Sequence, residues 1–495
     1  MEFPHLNMPL FVNDIKSLGC DVECLCANLY KLEDFITHIQ GKKFDLVAVD
    51  YVFPVSFLEQ LKKKLPGAKF VIGGNGFLDT FLKGPIDFAI SGAGRESFFK
   101  LTDALKNKRD LYEVPNLFLK LRKNKKKFID YSGKDRDFDL RKELFPFSPV
   151  LEWKYIGFRK KKRSNYPMTV VADFGCPYRG KRPNHSPKDL SVSSLALRRD
   201  VFSERAKKKI EDILKERLRG GCSFCTYGPF ASLPVDETVQ CLMEQMRFLQ
   251  KRYRLKRFAI GTENPFRFIV KLIQRSMREN IVLKEIAIRT RIDWLNQNEK
   301  VLRGVIVLAK KHDFKFSFIQ LGFESFIQKD LDRYNKGYDV TENFKAIQLI
   351  KKLERMAPDH FQSYGHNFIG INPWITTRDL ENYLENAERS RRRFDLEGPF
   401  LRLNPGGLIL YDRCLPIYQE IKKAGLLIEN PKGLDTYRYK DEKVTYFFKW
   451  MAFQDAYLRK RYLAGRKSKR KYDQYNKAYM QIQKNSLREL NKVDS

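Results

Sequence analysis

The stretch MTVVADFGCPYR, residues 168–179, has the pattern of a buried strand that runs directly into a turn of glycine, cysteine and proline. Later segments repeat this pattern of an apolar strand and a polar or glycine-rich turn, with amphipathic helical segments between them; their strands begin near Lys256, Lys284, Phe316, His360 and Phe400. Strands that alternate with helices favour a parallel sheet, and about six such units predict a partial (β/α)6 barrel over residues 166–420. The functional side chains of such a barrel lie at the carboxyl ends of its strands.

The first 115 residues alternate in the same way. Apolar strands are predicted in FDLVAVDYV (44–52), KFVIGG (69–74) and IDFAISGAG (86–94), and each is followed by a helical segment. This pattern predicts an N-terminal Rossmann-like open parallel sheet over residues 1–115, with ligands at the carboxyl ends of its strands. We expect a charged linker at 116–165 and a helical, basic region at 421–495, so that the whole chain is of the α/β class.

The 495 residues carry 94 Lys and Arg against 60 Asp and Glu, a net charge of +34. Such a surplus suits a nucleic-acid partner, but basic runs at four separate places are also what a solvated surface would show. No apolar run approaches the roughly 18 residues that a membrane span needs, and the first residues lack a signal-peptide layout. We therefore expect a cytoplasmic protein without a membrane span.

The eight cysteines are too scattered for a disulfide framework, and they favour metal or catalytic roles. Cys222 and Cys225 lie in GGCSFCTYG (220–228), a spacing found in zinc sites, redox sites and iron–sulfur sites. The nearest preceding cysteine is Cys176, beyond a basic insert at 180–221 that contains a helical stretch with a serine N-cap and a glycine stop. Core packing is predicted for the other five: Cys20, Cys24, Cys26, Cys241 and Cys414.

With the insert left out, the sequence reads DFGCPYR followed by CSFCTYG, which resembles the C-x-x-x-C-x-x-C loop of radical S-adenosylmethionine (SAM) enzymes. In that family three cysteines ligate a 4Fe–4S cluster and one iron is left open for SAM. The resemblance implies that Cys176, Cys222 and Cys225 are the cluster ligands. The insert adds about 2 kcal/mol of loop-closure free energy, so the site requires Arg179 and Gly221 to lie close together. A zinc or redox site at the C-x-x-C is the alternative.

Two later segments, LGFESFIQKDLDRYNKG (321–337) and INPWITTRDL (371–380), resemble parts of radical SAM enzymes that carry cobalamin domains. This resemblance implies contacts to the SAM ribose, carboxylate, amino group and adenine, while the alternative is ordinary charged residues at strand ends. The residues implied are Glu324 for the ribose, Lys336 and Arg291 for the carboxylate, Glu263 for the amino group, and the backbone around Phe224 for the adenine.

The segment from Phe70 to Leu105 resembles the cobalamin-binding domain that precedes the barrel in one large class of these enzymes. By that likeness Gly73 and Gly74 would let the backbone approach the corrinoid tail, and the turn with Ser91, Gly92 and Gly94 would flank its nucleotide. The first strand of that domain is missing here, and no D-x-H-x-x-G motif offers an axial histidine. The domain could therefore bind cobalamin, bind something else, or be a structural relic.

The sequence thus predicts a radical SAM enzyme that uses a 4Fe–4S cluster and SAM. It leaves open whether cobalamin is a third cofactor. The expected chemistry is methyl transfer or another C–H modification, and the expected reductant is a ferredoxin or flavodoxin. The substrate, whether a small molecule or a macromolecule, is not identified. Two alternatives remain: a non-catalytic basic nucleic-acid-associated protein on a degenerate radical SAM scaffold, and a radical SAM enzyme that modifies RNA.

Overall fold

The computed structural model describes most of the chain. The described residues are 7–27, 32–49, 55–73, 77–92, 94–123, 126–134, 140–145, 147, 153–156, 167–178, 180, 201–217, 221–225, 231–364, 366–369, 371–394, 408–410, 413, 415–430, 434–463 and 469–492.

The N-terminal part is an α/β unit built on one five-stranded sheet. Its elements are α1 (Asn7–Ser17), β1 (Cys24–Ala27), α2 (Leu32–Ile39), β2 (Leu46–Val49), α3 (Val55–Lys64), β3 (Lys69–Ile72), α4 (Phe77–Lys83), β4 (Phe88–Ile90), α5 (Arg95–Asn107), β5 (Leu117–Lys123) and β6 (Lys126–Tyr131). The sheet has the order β2-β3-β4-β5-β6. Strands β2, β3 and β4 are parallel, whereas β5 and β6 are antiparallel additions. The predicted open parallel sheet is present, and it continues into the segment that we expected to be a linker.

Strand β1 does not join β2 within the described residues. It pairs in parallel with β7 (Trp153–Ile156), which follows α6 (Leu140–Leu144). The partner of β1 therefore comes from far along the chain, since Trp153 follows Ala27 by 126 residues. The sequence pattern lacks the first strand of the domain, and the structure provides a parallel neighbour from the segment before the barrel.

The second α/β unit begins with β8 (Met168–Val170), β9 (Asp173–Phe174) and β10 (Ala231–Ser232). It continues through α8 (Val235–Tyr253), β11 (Arg257–Ile260), α9 (Ile269–Arg278), β12 (Glu285–Arg291), α10 (Ile292–Gln297), α11 (Glu299–Lys311), β13 (Lys315–Glu324), α12 (Gln328–Arg333), α13 (Val340–Met356), β14 (Phe361–Ser363), β15 (His366–Phe368) and α14 (Thr377–Phe394).

The central sheet of this unit runs β8-β11-β12-β13-β14, and β15 also pairs with β13. All of these pairings are parallel. Helices cover the sheet, so its strands are apolar along their length, and residues such as Phe258, Ile286 and Phe316 are fully buried. The expected parallel (β/α) arrangement is confirmed, and it places the ends of β8, β11, β12 and β13 at one edge.

The insert between the cysteines carries α7 (Glu204–Arg217), which packs on the N-terminal sheet. Phe202, Ala206 and Ile210 belong to the same apolar core as Ile129 of β6. The Ser203 hydroxyl accepts from the Ala206 amide at 3.1 Å, which is the N-cap that the sequence predicts. The insert is therefore anchored on the N-terminal domain, although it interrupts the barrel sequence.

We expect Ile210→Ala to lower the free energy of unfolding by about 3 kcal/mol, because it removes a fully buried side chain from this core. Lys208→Ala, on the exposed face of the same helix, should change it by less than about 0.5 kcal/mol. Urea denaturation of both variants measures the difference. Equal stabilities would contradict the docking of α7 on β6.

The C-terminal region contains α15 (Pro416–Lys423), β16 (Leu427–Ile428), β17 (Thr436–Tyr437), α16 (Glu442–Leu463) and α17 (Lys469–Lys492). Val444, Phe447 and Met451 of α16 and Leu487 of α17 are part of the barrel core. These two helices therefore pack as a pair on the second α/β unit. Over the described residues, the search for a helix long and apolar enough to cross a membrane finds none.

Candidate functional site

The two halves of the cysteine motif meet on the segment that follows α12. The Tyr178 hydroxyl, two residues after Cys176, donates to the Asn335 carbonyl oxygen at 2.8 Å. The Asn335 side-chain amide in turn donates to the Gly221 carbonyl oxygen at 2.6 Å. One asparagine thus holds the chain on both sides of the insert.

A second set of bonds fixes the loop between Cys222 and Cys225. The Ser223 amide donates to the Tyr334 carbonyl oxygen at 3.1 Å, and its hydroxyl donates to the Arg333 carbonyl oxygen at 2.7 Å. The Cys225 amide donates to the Cys222 carbonyl oxygen at 3.2 Å, which closes a tight turn. Hydrogen bonds to the backbone that follows α12, and a bond within the turn itself, therefore hold the second half of the motif.

The ends of the insert lie side by side. Gly180 and Gly221 both have positive φ angles, of 55° and 100°. A Cβ built on Gly180 would lie 2.9 Å from the Asn335 amide nitrogen, and one built on Gly221 would lie 3.7 Å from the Tyr178 carbonyl oxygen. Arg179 is outside the described residues, but its neighbours Tyr178 and Gly180 are described. Gly221 lies near Tyr178, so the chain returns after the insert to the place where the insert begins. The closure that the split motif requires is present.

Gly337 completes the socket for Tyr178. Its φ angle is 72°, and a Cβ at this position would overlap the Tyr178 hydroxyl. A side chain at this position would displace the Tyr178 ring. Glycine therefore allows the Tyr178 hydroxyl to bond to Asn335. We name the group of Tyr178, Asn335 and Gly337 the loop clasp.

Arg291 links the clasp to Cys222. Its guanidinium carbon lies 3.5 Å from the centre of the Tyr178 ring, and its Nη1 lies 3.4 Å from the Cys222 sulfur. It also forms a bidentate pair with Asp293, at 3.0 and 3.1 Å. Arg291 is the residue for which the resemblance implies contact with the SAM carboxylate. In the structure it is buried between Tyr178, Cys222 and Asp293.

Glu324 and Lys336 form a buried ion pair beside the cysteine loop. The Lys336 Nζ lies 3.1 Å from Glu324 Oε1, and the two residues are only 2% and 6% exposed. Burial acts to lower the pKa of Lys336, but the charges around it, that of Cys222 first among them, outweigh burial and raise the pKa above its ordinary value. A permanent cation therefore lies near the sulfur of Cys222.

The backbone of Glu324 has a φ angle of 60°, which is rare for a residue with a side chain. A Cβ on Gly322 would lie 2.7 Å from the Glu324 carboxylate, so the glycine leaves room for it. Strained conformations of this kind are retained where the surrounding structure imposes them, often at functional sites. The position at the carboxyl end of β13 is the one from which a barrel residue reaches a ligand.

Glu263 and Phe224 lie at the same edge. Glu263, in the turn after β11, pairs with Arg289 Nε at 2.9 Å. The pKa of the Cys176 thiol is raised to about 11, chiefly by burial and in smaller part by the charges of Glu263 and Cys222. The Phe224 ring packs edge-on against Tyr334, with ring centres 5.3 Å apart. Arg291 thus contacts Cys222, Lys336 lies between Glu324 and the Phe224 ring, and Glu263 interacts electrostatically with Cys176.

The cysteine side chains themselves do not converge: among the described residues, no three His, Cys, Asp or Glu side chains form a group that could hold a metal ion as they stand. The two segments that carry the cysteines are nevertheless joined through Asn335, and rotation about χ1 moves a cysteine sulfur between staggered positions. Arg291 and Lys336 place two buried positive charges near Cys222. Three cysteines fit a 4Fe–4S cluster with one open iron better than they fit a structural zinc site, which takes four protein ligands. Cys176, Cys222 and Cys225 would hold such a cluster.

The N-terminal glycines lie at the carboxyl edge of the other sheet. Gly73 follows β3, and Ser91 and Gly92 follow the neighbouring strand β4. Gly92 has a φ angle of 75° and open space where a Cβ would point, and Gly94 is the N-cap residue of α5. Gly74 lies outside the described residues. The described residues of these turns thus lie at the edge where ligands of such sheets bind, with open space recorded at Gly92.

A buried polar network connects the two parts, which the sequence pattern does not reveal. Arg413 pairs with Asp79 of α4, and Asp435 pairs with Lys83 of α4 at 2.7 Å. The Tyr418 hydroxyl donates to Asp435 at 2.7 Å. Apolar residues of the same C-terminal segment pack against Phe224. The segment from 408 to 437 therefore joins the helix after β3 to the cysteine loop.

The fold has known counterparts among solved structures. OxsB, a cobalamin-dependent S-adenosylmethionine radical enzyme, has a TM-score of 0.56 in its aqua-cobalamin complex, at 13% identity over 92% of this chain and 66% of the OxsB chain. Its complex with aqua-cobalamin and S-adenosylmethionine has a TM-score of 0.55, at 13% identity over 92% and 65% of the two chains. The radical S-adenosylmethionine methyltransferase TsrM from Kitasatospora setae, with cobalamin and a 4Fe–4S cluster bound, has a TM-score of 0.49, at 14% identity over 85% and 72%.

The chain therefore has the fold of a cobalamin-dependent radical SAM enzyme, as the resemblance in its sequence implies, and it spans about two thirds of the length of OxsB. At this identity the likeness concerns the fold. No protein-family model matches the sequence, and no curated protein matches it.

Proposed function

We propose that this chain, which has the fold of a cobalamin-dependent radical SAM enzyme, is itself a radical SAM enzyme with its cluster on Cys176, Cys222 and Cys225. The observation that carries this proposal is the loop clasp, because it joins the two halves of a motif that the sequence separates by 42 inserted residues, 180–221. The hydrogen bonds that hold the two ends of the insert at Asn335 support a single cluster loop built from both halves of the motif.

When bound by these cysteines, a reduced 4Fe–4S cluster would supply the electron for reductive cleavage of SAM, the chemistry by which this class of enzyme removes a hydrogen atom from a substrate. The chain's own contribution is to hold the reactants. Lys336, next to Cys222, offers positive charge where the SAM carboxylate would approach, and Glu324 offers carboxylate oxygens for the ribose hydroxyls. To do so, the two side chains would exchange part of their present contact with each other for contacts with the ligand.

The N-terminal sheet supports cobalamin as a further cofactor. Its glycine turns after β3 and β4 face the edge where ligands of such sheets bind, and the 408–437 segment ties α4 to the barrel beside them. With cobalamin bound, the proposed reaction is methyl transfer to an unactivated carbon. The substrate class is left open by this proposal.

The test is the formation of 5′-deoxyadenosine from SAM by protein reconstituted anaerobically with iron and sulfide. With dithionite as reductant, mass spectrometry should detect the product above the level of protein that has not been reconstituted. Parallel reactions with and without cobalamin show whether cobalamin changes the products. A brown, iron-loaded protein that forms no 5′-deoxyadenosine in either reaction would contradict the proposed activity.

A further inference from the structure

Four aromatic side chains form an exposed line along α16. Tyr446, Trp450, Phe453 and Tyr457 are 64%, 49%, 66% and 52% exposed. Residues spaced by three or four positions share one face of a helix, so these four side chains follow one another along one face of α16. We name this group the aromatic stripe. Large apolar side chains that neighbour one another are uncommon on protein surfaces. Where they occur, they often mark binding sites.

The stripe is not needed to attach the helix to the rest of the chain. The opposite side of α16 is buried through Val444, Phe447, Met451 and Leu458, which belong to the barrel core. Within the part of the chain that the structure describes, one side of the helix is therefore buried and the four aromatic side chains are about half or more exposed. Their exposed surfaces are available for contact with a partner.

The rings are partly held in place before any partner arrives. Trp450 and Phe453 are stacked, with ring centres 6.0 Å apart and an angle of 27° between their planes. The indole nitrogen of Trp450 donates to the Ser486 hydroxyl of α17 at 3.1 Å. A platform that is already ordered loses less conformational entropy on binding than free side chains do.

Positive charge lies alongside the stripe. Lys449 is three residues from Tyr446, and Lys460 is three residues from Tyr457, so each lies beside a ring, and both are exposed. The acidic Asp455 instead contacts Tyr475 of α17. Residues 451–495 contain 12 Lys and Arg against 4 Asp and Glu, in a chain whose net charge is +34. A partner with negative charge is therefore favoured.

We propose that the aromatic stripe binds a single-stranded nucleic acid. Bases have flat apolar faces that stack on aromatic rings, and their phosphates are attracted by flanking Lys and Arg. A second copy of this chain would bring the same positive charge to the contact and be repelled. A duplex keeps its bases stacked on one another and offers no free faces to the rings. This surface goes beyond the proposed radical chemistry and does not depend on it.

The proposal is tested with fluorescence anisotropy on the full-length protein, using labelled oligouridine and oligodeoxythymidine, which have little structure of their own. Phe453→Ala with Tyr457→Ala should weaken binding by at least about tenfold, since each stacked base contributes substantially to affinity. Val307→Ala, which removes another exposed apolar side chain on α11, is the matched control and should bind as the unchanged protein does. Comparison of the two oligonucleotides distinguishes RNA from DNA as the source.

Lys449→Gln with Lys460→Gln should leave the stacking in place and reduce the slope of log affinity against log salt by about two. Equal binding by the aromatic variant and the control would overturn the proposal, because charge elsewhere would then account for the affinity. Stronger binding to duplex DNA or to phosphatidylserine vesicles would overturn it too, as would concentration-dependent self-association through the stripe. Formation of 5′-deoxyadenosine should be the same in all these variants, so this test and that of the proposed function can fail separately.

Discussion

Replacing Cys176, Cys222 and Cys225 together with alanine is expected to abolish iron loading, from about four irons per chain to near zero. The decisive single variant is Cys176→Ala, because this residue comes from the far side of the insert. If all three thiolates bind one cluster, its loss should be as severe as the loss of Cys222 or Cys225. Iron and sulfide analysis after anaerobic reconstitution, with the visible spectrum, measures the effect.

Cys20→Ala is the matched control, since Cys20 is a partly exposed cysteine of the N-terminal domain. It should load iron as fully as the unchanged protein. If Cys176→Ala retained the cluster while Cys222→Ala and Cys225→Ala lost it, the split motif would be wrong. The cluster would then be bound by Cys222 and Cys225 with a further ligand other than Cys176.

Gly337→Ala is expected to reduce iron loading sharply by opening the loop clasp. The new methyl group would overlap the Tyr178 hydroxyl, and the positive φ angle adds backbone strain. Together these effects cost about 2 to 3 kcal/mol, which would reduce the equilibrium constant for closing the loop by roughly 30- to 150-fold. The measurements are iron content and the free energy of unfolding.

The chain offers two controls for this variant. Gly425→Ala introduces the same kind of strain, at a φ angle of 67°, but its methyl group would meet no atom within 4 Å. It should cost about 1 kcal/mol of stability and leave iron loading intact. Tyr178→Phe removes the overlapping oxygen but also the bond to Asn335, so adding it to Gly337→Ala should restore only part of the loading. If the double variant were as defective as Gly337→Ala alone, overlap with Tyr178 would not be the cause.

Part of the site could be found from the sequence because its residues carry local patterns. The cysteines stand in recognisable turns after strands, and Glu324 and Lys336 lie in one segment that resembles a family motif. The clasp has no such local pattern. Tyr178 and Asn335 are 157 residues apart, and a tyrosine or an asparagine in a turn is too common to predict a partner. The same holds for Arg413 and Asp79, whose buried pair spans 334 positions.

By itself the sequence determined the alternation of strands and helices, the two parallel sheets and the residues at their carboxyl ends, because burial of apolar side chains produces periods that can be read from one chain. Only the tertiary structure decided that β7 pairs with β1, that α7 of the insert packs on β6, and that the segment of Cys176 meets the segment of Cys222 and Cys225 at Asn335. Each of these depends on contacts between distant segments. Their free energy comes from packing and hydrogen bonds that form only when the whole chain has folded.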